Sequence, residues 1–355
     1  AAVVALFAEP IVSAEVGIAP GFGPEQCHLI ADLMRLNLIS LMIFSISGLV
    51  MGGLQSNQHF LLPALAPFFY NVGQLIGALV FAPLQPLTLG PLTLPTLGLG
   101  IHGLVYGAIL GAALHLGIQI PGLVYYGFRW TPSLDIRNSG LLEALSLMAP
   151  RLLTIFGVQS MFLMRDNLAS RLPQEGAVSV LTYGWMIMQV PETLLGTAIA
   201  TALLPSLSEF AAQKDWQAFA STLQKAMRIL LVLTLLAGAV IAAGLKPLVA
   251  LAFGGLGPAG VDLLTLTTRV YLLTLTGYAL QETLSRAFYA RKEPLLPLAS
   301  VALRLVVYLA IGVFAVTVMP HIGAPLIALA EISLTVEAVF LWLVMRRRLG
   351  YSLPL

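Results

Sequence analysis

The sequence predicts an all-α polytopic membrane protein with two helical lobes that repeat in parallel. Hydrophobic residues make up 58% of the chain and charged residues 10%, and the mean hydropathy is +0.92, far from a soluble domain. Apolar segments of transmembrane length alternate with short polar joins. The chain also contains an internal repeat: GLQSNQHFLLPALA at 53–66 resembles AFYARKEPLLPLAS at 287–300. Parallel repeats of this kind are an architecture of secondary transporters.

Ten apolar segments are long enough to cross the membrane, since about 20 helical residues span the hydrocarbon core. They lie at 1–18, 36–54, 61–83, 101–126, 141–164, 178–204, 229–253, 263–284, 295–319 and 322–345. Six of these segments separate the two copies of the repeat. Both copies therefore face the same side of the membrane.

The positions of Lys and Arg predict the orientation. One set of joins carries most of these residues: Arg129, Arg137, Lys214, Lys225, Arg228, Arg286, Arg291, Lys292, Arg346, Arg347 and Arg348. The other set carries Arg171, with Lys246 near a helix end. By the positive-inside rule, the basic set is cytoplasmic.

The repeat also predicts the domain organisation. Residues 1–127 form an incomplete N-terminal lobe, 128–140 a cytoplasmic linker, 141–345 a six-helix C-terminal lobe, and 346–355 a basic cytoplasmic tail. The offset between Pro63 and Pro297 is 234 residues. A complete first lobe is therefore expected to begin about 90 residues, or two helices, before Ala1.

The sequence contains no motif of a soluble enzyme or of a nucleotide-binding domain. There is no P-loop, no dinucleotide glycine fingerprint after a strand, no HExxH and no Ser/His/Asp set in a soluble domain. The single cysteine, Cys27, excludes an internal disulfide and a cysteine-based metal site. We therefore expect a transporter and not an enzyme, without cofactor, metal site or nucleic-acid partner. The membrane potential or a gradient of H⁺ or Na⁺ would supply the energy.

Charged residues at membrane depth are the candidate functional residues, because each costs a few kcal/mol there. Arg165 and Asp166 lie near the outer end of the span 141–164, as either a functional pair or an interfacial ion pair. Arg269 and Arg304 lie in the last three spans, where they either face a cavity or pair with nearby acids. Those acids are Glu331 and Glu337. Arg151 is a further candidate in the cytoplasmic half of its span.

Pro191 and Glu192 form a candidate hinge inside the span 178–204. A proline in mid-helix removes one backbone hydrogen bond and bends the helix. The adjacent carboxyl group either binds a proton or cation during gating or satisfies the freed backbone as a static bend.

Four strings carry a resemblance to a known family. They are GGLQSNQHFLLPALAPFFYNV at 52–72, IQIPGLVYYGF at 118–128, the stretch from LMAPRLLTIF to LLPSLSE at 147–209, and SRAFYARKEPLLP at 285–297. In this order, and on these sides of the membrane, they resemble the MurJ (MviN) family of lipid II flippases. That family belongs to the multidrug/oligosaccharidyl-lipid/polysaccharide exporter superfamily. The resemblance implies a fold of two six-helix lobes, of which this chain holds helices three to twelve.

The resemblance also implies a function: moving lipid II to the outer leaflet of the bacterial inner membrane by alternating access, for peptidoglycan synthesis. Arg151, Arg165, Arg269 and Arg304 would line a cationic cavity for the pyrophosphate. Asp166 and Ser170 are the nearest candidates for a sodium site, and Pro191 with Glu192 for gating. Expected partners are lipid II or a similar lipid-linked glycan, membrane lipids and cell-wall synthesis proteins.

One departure from the family keeps two other functions open. Family members have an Arg in a string like YADRLMEFP, whereas YGWMIMQVP here has Met186 in its place. The alternatives are an exporter of another lipid-linked glycan or a drug, which the same fold supports, and a non-transporting membrane scaffold of cell-wall synthesis.

Overall fold

A computed structural model of the chain describes residues 1–89, 92–128 and 139–349, although some side chains before residue 159 lie outside the described part. The chain divides into two compact units. Unit 1 contains Ala1–Gly17 and Phe22–Glu143, and unit 2 contains Ile18–Gly21 and Ala144–Leu355.

Unit 1 consists of helices and one short hairpin. Its helices are α1 (Ala2–Leu6), α2 (Ala8–Ser13), α3 (Pro24–Ser56), α4 (Leu61–Ile76) with a π-helical end (Gly77–Phe81), α5 (Ile101–Gly117) and α6 (Ile120–Tyr125). The hairpin pairs β1 (Leu87–Leu89) with β2 (Leu92–Leu94) in antiparallel register. It lies in the join 83–100, on the predicted outer side.

Glycines bring α4 and α5 together in unit 1. A Cβ atom added at Gly73 would overlap the Cα atom of Gly111, and one added at Gly107 would overlap that of Gly77. Small residues let helix backbones approach closely, which is a major source of helix association in a membrane.

Unit 2 is a larger helical bundle. Its helices are α7 (Ser139–Ser170), α8 (Ala177–Pro191), a π-helical turn (Glu192–Thr197), α9 (Ala198–Gln213), α10 (Trp216–Ala252), a 3₁₀ turn (Gly254–Leu256), α11 (Gly257–Ala290), α12 (Leu295–Thr317), α13 (Ala324–Leu329), a second 3₁₀ turn (Ala330–Ile332) and α14 (Ser333–Leu349). The central helix is α11, which packs against α8, α9, α10, α13 and α14. These other helices of unit 2 therefore pack around α11.

Eight helical stretches of the described residues are long and apolar enough to cross a membrane, and they match eight of the ten predicted spans. One further predicted span, 141–164, lies in α7, which is 32 residues long. The prediction of one span at 1–18 is wrong, because α1 and α2 are separate helices of 5 and 6 residues. Pro10 explains the break, since it cannot donate to the Leu6 carbonyl and is tolerated only in the first turn of a helix.

The two copies of the repeat have the same turn geometry. The turn between α3 and α4 places Gln58 at φ 60°, and the turn between α11 and α12 places Lys292 at φ 60°, 234 residues later. The amide of His59 donates to the Leu54 carbonyl, as the amide of Glu293 donates to the Phe288 carbonyl. Both turns therefore end a helix with the same left-handed cap.

Candidate functional site

The candidate site is the polar interior of unit 2, where Arg165 of α7 is the most buried cation of the described side chains. Its side chain is 7% exposed and lies 2.8 Å from Asp166 Oδ1. Its Nη2 also donates to the Thr182 hydroxyl of α8 at 3.1 Å, and the guanidinium lies over the Phe162 ring at 5.2 Å. Thr182 is anchored in turn by donating to the Val178 carbonyl at 2.9 Å. The cation is thus held in place by two helices.

A second ion pair joins α12 to the broken helix that follows it. Arg304 Nη2 lies 3.1 Å from Glu331 Oε2, and the two side chains are 15% and 7% exposed. Glu331 lies in the 3₁₀ turn between α13 and α14. This confirms the expectation that Arg304 pairs with a nearby acid. Arg304 Nε is buried and has no hydrogen-bond partner in the described part of the chain.

Two buried tyrosines lie between these ion pairs. Tyr271 of α11 and Tyr308 of α12 are fully buried, and neither hydroxyl has a partner of normal hydrogen-bond geometry among the described residues. Both phenols lie within electrostatic reach of Arg165 and Glu331. Tyr308 is also one helical turn after Arg304 on α12. The interior therefore contains two guanidinium groups and two phenol groups, and each of these groups carries hydrogen-bond donors.

Tyr271 belongs to a pattern on α11 that the sequence reasoning missed. Polar residues recur every three or four positions along one face of α11: Thr267, Tyr271, Thr274, Tyr278, Gln281 and Ser285. The stripe covers 19 residues and rises about 27 Å along the helix, close to the thickness of the hydrocarbon core. Its helical spacing is visible in the sequence, so a search for polar periodicity within apolar spans would have found it.

Glu192 is buried, and its carboxylate has local partners. Its Oε1 accepts a hydrogen bond from the Thr197 hydroxyl at 2.9 Å, and its Oε2 accepts one from the Thr193 hydroxyl at 3.3 Å. All three residues lie in the π-helical turn that follows Pro191. Such turns occur often at functional sites, and this one lies where the proline disrupts the regular α-helical bonding.

The other predicted site residues lie apart from the two ion pairs. Ser170 is buried at the end of α7, where its hydroxyl donates to the Asn167 carbonyl at 2.8 Å and accepts from the Gly21 amide at 3.2 Å. Arg269 is exposed, and its Nε donates to the Ala242 carbonyl of α10 at 2.9 Å. Arg151 lies outside the residues whose side chains are described.

The aromatic environment of the site includes Trp185 of α8. Its ring packs 5.7 Å from Phe162, 5.8 Å from Tyr271 and 5.9 Å from Tyr278, between centroids. The next residue, Met186, is 57% exposed. The position of the family arginine is therefore at the surface of unit 2, and Trp185 packs inside.

Chemically, this interior suits an oxygen-rich anion. Arg binds phosphates in a bidentate geometry, and the phenols add neutral donors. The described residues contain no group of three or more His, Cys, Asp or Glu side chains arranged to hold a metal ion.

Comparison with known sequences gives a consistent result. The family profile described as "Lipid II flippase MurJ" matches residues 1–354. The chain is 28% identical over 333 residues to the lipid II flippase MurJ of Burkholderia cenocepacia, covering 90% of the chain and 60% of that protein. It is 27% identical over 354 residues to a probable lipid II flippase MurJ of Rhizobium meliloti, covering 95% and 62%. The chain thus spans about 60% of the length of these relatives.

Comparison with solved structures supports the fold. A lipid II flippase MurJ in an inward closed conformation superposes with a TM-score of 0.78 at 18% identity, covering 97% of the chain and 68% of that structure. An inward-facing multidrug resistance transporter of the MATE family also gives a TM-score of 0.78, at 17% identity, with coverages of 98% and 76%. The fold of two helical lobes predicted from the repeat, and the exporter fold that the family resemblance implies, are confirmed.

Proposed function

The chain belongs to the lipid II flippase MurJ family and is a multi-pass protein of the bacterial inner membrane, and on that premise we propose that it moves lipid II to the outer leaflet. The chemical step is transport without bond making or breaking. The cargo carries a disaccharide on a pyrophosphate. That anionic head cannot cross about 30 Å of hydrocarbon unaided, because polar groups lose their hydration there.

One observation carries this proposal: unit 2 contains buried donors without acceptors at membrane depth. Arg304 Nε and the hydroxyls of Tyr271 and Tyr308 have no hydrogen-bond partner of normal geometry in the described part of the chain. Leaving a buried donor unpaired costs about 1–3 kcal/mol. A pyrophosphate offers several acceptor oxygens, so binding it would recover part of this cost.

The two arginines require an exchange of partners on binding. Arg165 is paired with Asp166 and Arg304 with Glu331, so each cation is already neutralised. The pyrophosphate must compete with a carboxylate for each guanidinium. Such competition favours release of the cargo as well as capture, because the carboxylate takes the cation back. This exchange is the step that we assign to alternating access.

Complementation of a MurJ-depleted bacterium by the full-length gene tests the proposal. We expect Arg165→Ala to abolish growth while the protein remains at normal abundance in the membrane. Removing Arg165 alone also leaves Asp166 without its cation, so the double variant Arg165→Ala/Asp166→Ala is needed. It removes both charges, and we expect it to fail as well, because it still lacks the guanidinium.

Arg348→Ala is the matched control, since Arg348 is an exposed arginine at the end of α14. We expect this variant to grow like the wild type. Normal growth with both Arg165 variants would instead mean that the pair is only structural. Flipping of fluorescent lipid II in liposomes by the same proteins distinguishes a transport defect from an indirect effect on growth.

A further inference from the structure

Glu337 is a buried carboxyl group that the proposed anion site does not use. It lies one turn into α14, is 0% exposed, and connects three helices. Its Oε1 accepts a hydrogen bond from Gln281 Nε2 of α11 at 3.1 Å and lies 2.7 Å from Ser300 Oγ of α12. Its Oε2 is buried and has no hydrogen-bond partner within the described ranges.

Apolar side chains pack near Glu337, and none of the described cations forms an ion pair with it. Leu284, Ala338 and Leu341 belong to the core cluster of this end of unit 2. The charged groups of α11 closest in sequence to Gln281 are Glu282 and Arg286, which pair with each other at 2.7 Å. On α12, Arg304 lies one turn after Ser300 and pairs with Glu331 at 3.1 Å. Tyr289 is the titratable group of α11 within electrostatic reach, whereas α12 contributes the Ser300 hydroxyl and α14 the buried Ser333 hydroxyl. An ionised carboxylate without a counter-charge in such a site costs several kcal/mol.

Counting hydrogens at Ser300 points to a proton on Glu337. Ser300 Oγ lies 2.7 Å from the Pro297 carbonyl oxygen and 2.7 Å from Glu337 Oε1. A serine hydroxyl has one hydrogen, and neither a carbonyl oxygen nor an ionised carboxylate can donate. One hydrogen cannot serve both contacts. Both are hydrogen bonds at the same time only when the carboxyl group of Glu337 supplies the second hydrogen.

We propose that Glu337 is a proton-binding site, and that its bound proton holds α11, α12 and α14 together in the conformation described. Release breaks the O–H bond of the carboxyl group, transfers the proton to water and leaves a carboxylate. That charge favours a conformation in which α12 and α14 separate and water reaches the site. The use of this proton in coupling rests on the proposed transport function. Its presence on Glu337 does not.

Infrared spectroscopy of the purified full-length protein in lipid nanodiscs tests the proton directly. A protonated carboxyl group has a carbonyl stretch that is separate from the bands of a carboxylate. We expect Glu337→Gln to remove one such band from the wild-type spectrum at neutral pH. Ser300→Ala should keep that band and shift it to higher frequency, because the carboxyl group loses a hydrogen-bond partner. This second variant removes only one hydroxyl, so it tests the site even if Glu337→Gln does not fold.

Glu282→Gln is the matched control on α11, because Glu282 forms an ion pair with Arg286. Its spectrum should keep the band of Glu337. Identical spectra for the wild type and a folded Glu337→Gln variant would overturn the proposal. So would a stabilisation by Na⁺ that Glu337→Gln abolishes without loss of a carboxyl band, since the ligand would then be an alkali ion. None of these readouts requires lipid II to move, so a failure here is distinct from a failure of the proposed function.

Discussion

The interiors of the two units differ in charge although their repeated turns share one geometry. From Leu36 to Phe128, the sequence of unit 1 contains no Asp, Glu, Lys or Arg. Unit 2 buries two ion pairs, Arg165 with Asp166 and Arg304 with Glu331, together with the carboxyl groups of Glu192 and Glu337. The repeat has therefore kept the backbone and changed the chemistry inside it.

Equivalent positions show the same difference in detail. Ser47 of α3 and Gln281 of α11 are 234 residues apart, which is the offset of the repeat. Ser47 Oγ lies 2.7 Å from His115 Nδ1 in unit 1, whereas Gln281 Nε2 donates to Glu337 in unit 2 at 3.1 Å. Each residue joins its helix to a later span of the same unit. The partner side chain is a histidine in unit 1 and an acid in unit 2.

The contacts between helices also differ between the two units. In unit 1, Gly73 and Gly77 of α4 contact the glycines of α5, and the residues 234 positions later on α12 are Val307 and Ile311. Close glycine packing gives many backbone contacts without polar groups. Unit 2 also joins its helices by ion pairs and side-chain hydrogen bonds. Among the described residues, the buried acids and arginines are thus concentrated in unit 2. Three further predictions test this difference between the units.

The largest effect on stability is expected from breaking an ion pair of unit 2. Arg304→Ala leaves Glu331 buried without a cation, which should lower the free energy of unfolding by about 3–5 kcal/mol. The double variant Arg304→Met/Glu331→Leu removes both charges and should be near the wild type in stability. Thermal unfolding of the purified protein in nanodiscs measures both variants. A single variant as stable as the wild type would show that the pair is solvated and that the contrast between the units is overstated.

An intermediate effect is expected from crowding the glycine contact of unit 1. Gly107→Ala places a Cβ atom against the backbone of Gly77 and should cost about 1–3 kcal/mol, because neither backbone can move easily. Gly48→Ala on α3 is the control, since nothing lies within 4 Å of its added Cβ atom. The unfolding midpoint should fall for Gly107→Ala alone. Equal midpoints for the two variants would mean that α4 and α5 are not held by this contact.

The smallest effect is expected at the shared turns. Lys292 and Gln58 both adopt a left-handed backbone that disfavours residues with a side chain. Lys292→Gly and Gln58→Gly should each raise the free energy of unfolding by about 0.5–1 kcal/mol. Similar gains in the two units would confirm that the turns are energetically equivalent. A gain at one turn only would mean that the two turns share their backbone geometry but not its energetic cost.

Much of the fold was readable from the sequence because spanning a membrane requires long apolar segments. The same constraint made Arg165, Glu192 and Arg304 stand out as candidates. The segment 1–18 misled the prediction, because its composition is apolar enough for a span whereas Pro10 interrupts its backbone hydrogen bonds. Length and hydropathy alone cannot register such a break.

The sequence by itself determined the class of protein, the repeat and the presence of charges at membrane depth, since each follows from local composition and spacing. Only the tertiary structure decided which charges meet. Arg304 is 27 residues from its partner Glu331, whereas Arg269 binds a backbone carbonyl instead of an acid. Glu337 meets Gln281 and Ser300 because three helices converge there. Such contacts depend on the rotation and depth of each helix, which the packing of its neighbours fixes and its own sequence does not.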